Sequence, residues 1–87
     1  MQKKTSQFPM RKIKMIWDFR GPHSEKTAQH HVIHLNEFAQ NNNLEVIAID
    51  VQNIHDNHTI AFMVVTEDLV PHLRQSLKPH RGQLYVD

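Results

Sequence analysis

The stretch LEVIAIDVQNIHDNHTIAFMVVT, residues 44–66, decides the fold. Its two ends, LEVIAIDVQ (44–52) and TIAFMVVT (59–66), are rich in β-branched residues and too short for independent helices. They flank NIHDNH, whose Asp56-Asn57 pair is turn chemistry, so the whole reads as a β-hairpin. The second strand is apolar on both faces, with Ile60, Phe62 and Val64 on one and Ala61, Met63 and Val65 on the other. Such a strand belongs in the middle of a sheet. In the first strand Ile47, Ile49 and Val51 alternate with Val46 and Ala48.

Upstream, in RKIKMIWDF (11–19), Ile13, Met15, Trp17 and Phe19 alternate with Lys12, Lys14 and Asp18. That is a strand with one buried face, Ile16 being the exception on the other. RGPHSE (20–25) supplies a turn and a helix start, with Pro22 suited to a first helical position and Ser24 an alternative cap. Ala28, Val32, Leu35 and Ala39, flanked by Phe38, then form one apolar stripe of a helix reaching about Asn42, where the run Asn41, Asn42, Asn43 stops it. Downstream, EDLVPHLRQSLKP (67–79) gives a short helix with Pro71 near its first turn and Leu69, Leu73 and Leu77 four apart. GQLYVD (82–87) is a last strand, and residues 1–10, polar and without periodicity, are expected to be a mobile lead-in to a single domain over 11–87.

The order β-α-β-β-α-β predicts an α+β sandwich of the ferredoxin-like kind: a four-stranded antiparallel sheet, first and third strands central, with two helices on one face. Two helices cover one face only. The apolar residues on the other predict a homodimer packed through the open sheet face.

Composition narrows the chemistry. Zero cysteines exclude disulfides, thiolate metal sites and Cys nucleophiles among these 87 residues. Ten Lys and Arg against nine Asp and Glu leave a formal charge of +1, which recommends neither nucleic acid nor an anionic membrane as partner. No run approaches the roughly 18 apolar residues of a membrane span, and a cytoplasmic location is expected. The eight histidines titrate near pH ~6.5 when unperturbed.

Topology assigns each connection to one end of the sheet. At the C-terminal end of the first strand it gathers Asp18, Arg20 and His23, then His55 and His58 from the hairpin, and Lys78, His80 and Arg81 from the last loop, with His72 at the opposite end. Beside a helix N-terminus, Arg20, His23, His55, His58, His80 and Arg81 are candidate contacts for a small anionic ligand. With Asp18, Asp50 or Asp56, the trio His55, His58 and His80 is instead a candidate N/O site for a divalent transition metal such as Zn, Ni, Cu or Fe. Both readings make the protein a small dimeric binding module rather than an enzyme.

TAQHHVIHLNEF (27–38) places His30, His31 and His34 on one helix, but they do not share a face. His30 and His34 are an i, i+4 pair pointing outward with Glu37 beyond, the spacing by which a helix offers two imidazoles to one metal. HHVIH lacks the general base of the metalloprotease motif HExxH. His31 lies on the shoulder of the buried face. It is the candidate base of an alternative reading, a small dimeric αβ enzyme of the cofactor-independent oxygenase or isomerase kind, which requires an apolar cavity reaching His31. A further alternative is a pure protein-interaction domain.

In arrangement the chain resembles the ferredoxin-like superfold, whose members include metal chaperones, amino-acid-sensing domains, RNA-binding modules and small dimeric oxygenases. The chaperones' Cys-x-x-Cys is missing, and TIAFMVVT has one aromatic and no basic opening, unlike the third strand of RNA-recognition motifs. Architecture therefore does not choose among the functions.

Overall fold

The computed structural model describes residues 10–86; the lead-in expected over residues 1–10 falls, apart from Met10, outside them. The chain runs β1 (Lys12–Arg20), α1 (Ser24–Asn41), β2 (Ala48–His55), β3 (His58–Thr66), a 3-10 turn (Glu67–Leu69), α2 (Val70–Leu77) and β4 (Arg81–Tyr85). The strands form one antiparallel sheet in the order β2-β3-β1-β4. This α+β arrangement has the expected βαββαβ order with β1 and β3 central.

Ala28 and Leu35 of α1 and Leu73 of α2 join Met15, Trp17, Ala61, Met63 and Val65 in one buried cluster, so both helices lie on the same side of the sheet. Trp17 closes the cluster at the end of α2, where its indole N–H donates to the Leu77 carbonyl at 2.9 Å. That bond satisfies one of the carbonyls a helix C-terminus leaves open.

The start of α1 differs from the sequence expectation. Pro22 stands in the turn rather than the helix, His23 is the N-cap, and buried Ser24 pairs its hydroxyl with that of Thr59 at 3.1 Å. Gly21 makes this turn possible with φ +110°, its N–H donating to the Asn57 carbonyl at 2.8 Å. The start of β2 also shifts. Leu44 and Val46 pack on the core before the strand begins at Ala48, which leaves Ile47 45 % exposed rather than aligned with Ile49 and Val51.

On the face away from the helices, Ile16, Ile60 and Val64 are 1 %, 3 % and 0 % exposed within one chain. Lys14 crosses β3 here, its ammonium 4.4 Å from the centroid of Phe62 and 3.4 Å from the Gln52 side-chain oxygen. Long side chains thus shield apolar surface while their charged heads stay wet. The apolar residues from which a dimer through this face was expected are thus buried within the single chain.

Candidate functional site

Asp18 of β1 organises the polar groups of that same face. Cross-strand register sets Asp18 against Ile60 of β3, and Ile16, two residues back on the same side, against Arg81 of β4. Arg81 therefore reaches one step along the sheet, donating from Nε at 2.8 Å and Nη2 at 3.0 Å to the two Asp18 oxygens. His58 Nε2 donates to Oδ1 at 2.7 Å. The Asp18 and His58 side chains are only 14 % and 10 % exposed, so both bonds act where water screens little. The Arg81 guanidinium, then the His58 bond, hold the Asp18 carboxyl well below the usual carboxylate range against the opposing effect of burial. The Asp18 backbone N–H donates to His80 Nδ1 at 2.8 Å, which places that ring's hydrogen on Nε2.

The structure brings four of the six candidate residues together: His58, His80 and Arg81 on Asp18, and His55 with its ring 5.5 Å from that of His58. Arg20, opposite His58 in register, and His23 are exposed and do not join the group. The trio His55, His58 and His80 does not converge on one point, since His58 Nε2 is engaged by the carboxylate and His80 Nδ1 by a backbone N–H. Among the described residues, no three His, Asp or Glu side chains are placed to hold one metal ion. The cluster is self-neutralised: Asp18 already takes the place an anionic ligand would have on Arg81.

His31 packs between Trp17 and Phe19, ring centroids 5.0 Å and 5.5 Å away, and its Nε2 is buried with no hydrogen-bond partner among the described residues. Burial, aided by His34, His80 and His30, lowers its pKa. The unfolded imidazole therefore takes up its proton first, near pH ~6.5, and stability falls on acidification below that value. His31→Phe should keep the stacking and remove this part of the acid slope. Urea midpoints at about pH 7.5 and about pH 5.5 should lie closer together in the variant than in the parent.

A cleft of about 510 Å3 opens between α2 and β4, on the helix side of the sheet. α2 is only eight residues, about 12 Å, and Leu84 of the edge strand is 54 % exposed beside it. Ile13 and Met15 form the floor, with Val70 and Leu84 on the sides. Gly82 stands opposite Met15 and adds no side chain. A Cβ there would meet the Ile13 side chain and the Lys14 carbonyl at 3.7 Å, ordinary contact, so a larger residue fits the backbone and would fill the cleft. Arg11, Arg74, His80 and Arg81 also line it. Arg11 is tied to Glu67 at 3.0 Å and Arg81 to Asp18, whereas the Arg74 guanidinium has no partner among the described residues. His31 lines neither this cleft nor the two beside Leu44 and Val46.

Sequence reasoning did not find Arg11, Arg74 or the apolar floor. The one legible signal was Gly82 inside a short edge strand, a place where glycine marks close approach or missing bulk. No family model, no curated protein and no solved structure matches the chain.

Proposed function

We propose that the protein is a small-ligand-binding module of the ferredoxin-like kind whose cleft between α2 and β4 takes an amphipathic organic anion. The apolar body of the ligand lies on Ile13, Met15, Val70 and Leu84, and its carboxylate or phosphate meets Arg74. One observation carries this reading: an apolar-floored cleft of about 510 Å3, kept open by Gly82, with a guanidinium at its rim that has no partner among the described residues. Its size lies within the roughly 300 to 1,000 Å3 of small-molecule sites, which are mostly apolar with a few placed polar groups. The Asp18 cluster has a supporting role. It fixes Arg81 and His80 at one end of the cleft, so β4 is held in register.

Decanoate is a suitable probe, with decanol as its uncharged control. Calorimetric titration should show saturable decanoate binding, weakened at least about tenfold by Arg74→Gln and abolished by Gly82→Leu, both at unchanged fold by circular dichroism. Decanol should bind Arg74→Gln and the parent alike. Absence of saturable binding, or equal binding by all three proteins, overturns the proposal.

A further inference from the structure

The outward face of α1 carries a second arrangement, independent of the cleft. His30 and His34 turn their Nε2 atoms toward each other at 3.1 Å, rings edge-on with centroids 4.7 Å apart. A divalent metal bound at about 2.0 to 2.1 Å from two imidazoles at tetrahedral or right angles separates the two nitrogens by roughly 2.9 to 3.4 Å. The observed spacing is thus the bite of a chelate, reached with both side chains exposed and no backbone adjustment. Glu37, one turn on, lies 3.6 Å from His34 Nδ1. A carboxylate there favours hydrogen on Nδ1 and leaves Nε2 as the metal-facing lone pair, the usual outer partner of a ligating histidine.

Ile33 sits on this same face and is 55 % exposed, an apolar side chain with no role in the core. Two nitrogens are half of what a tetrahedral zinc takes, and a two-fold axis supplies the other half from an identical surface. We propose that His30 and His34 form a half-site for zinc, completed by the same pair from a second copy of the chain, with Ile33 packing against its counterpart beside the metal. The ligands are then four imidazoles, and the interface is α1 against α1.

Zinc sulfate added to metal-free, untagged protein tests this by calorimetry and sedimentation velocity together. The expected result is half a zinc per chain with conversion of monomer to dimer, reversed by EDTA. His30→Ala and His34→Ala should each abolish both effects. Glu37→Gln should weaken binding about tenfold, and Ile33→Lys should lower the dimer fraction at a given zinc concentration. Zinc binding at one per chain with the protein still monomeric, binding that survives His30→Ala, or no saturable binding would each overturn the proposal. A dimer present before zinc and unchanged by it would do the same.

Discussion

Asp18→Ala should lower the unfolding free energy by about 2 to 3 kcal/mol, and the melting temperature by about 10 to 20 °C. The carboxylate accepts three charge-assisted or ring-nitrogen hydrogen bonds from β3 and β4, and its loss strands His58 Nε2 in a site only 10 % exposed. Arg81 is about half exposed and can turn to water, which keeps the cost below that of a fully buried pair. Thermal unfolding at neutral pH measures this directly; a change under about 0.5 kcal/mol would mark the cluster as solvated surface. Asp18→Asn separates charge from shape. In the parent, the folded protein holds Asp18 ionised to lower pH than the unfolded chain does. Its contribution is therefore fully present above the unfolded value near ~3.9 and is lost as acid titrates the folded state below that. The Asn variant should be less stable at neutral pH and should lose less on going from about pH 5 to pH 3.

Trp17→Ala should cost about 3 to 5 kcal/mol, enough to bring a domain of ordinary stability close to unfolding at 37 °C. Trp17 is 3 % exposed, packs in the central cluster and against His31, and caps the Leu77 carbonyl through its indole N–H. Trp17→Phe isolates the last of these. It retains most of the apolar contact and leaves the carbonyl without its donor, at an expected cost of about 1 to 2 kcal/mol. Because Trp17 is the chain's one tryptophan, both variants have to be followed by circular dichroism or calorimetry rather than by fluorescence. Equal costs for the two substitutions would show that the hydrogen bond, not the volume, carries the contribution.

The cleft follows from the placement of α2 over the sheet, which no local pattern records. A helical stripe at Leu69, Leu73 and Leu77 announces α2 clearly, and only Leu73 of the three is fully buried. Whether so short a helix spans to the edge strand depends on its placement over the sheet. Leu84, in the stretch read from sequence only as a last strand, is 54 % exposed. On the opposite face Ile16, Ile60 and Val64 are buried within the single chain, where Lys14 lies over Phe62 and Arg81 bonds Asp18.

By itself the sequence determined the order of elements, the two-sided burial of β3, the inward stripe of α1 and the exposure of His30 and His34. Each follows from periodicity over a few neighbouring residues, at 2 in strands and 3.6 in helices, which sterics and the hydrophobic effect impose locally. The zero count of cysteines likewise removed thiol chemistry from the described domain without any structure. Only the tertiary structure decided that His58, His80 and Arg81 gather on Asp18, that Arg74 has no partner among the described residues, and that Gly82 opens a cleft. Those outcomes depend on strand register between segments some 40 to 60 residues apart, where a shift of one residue sends every side chain to the opposite face.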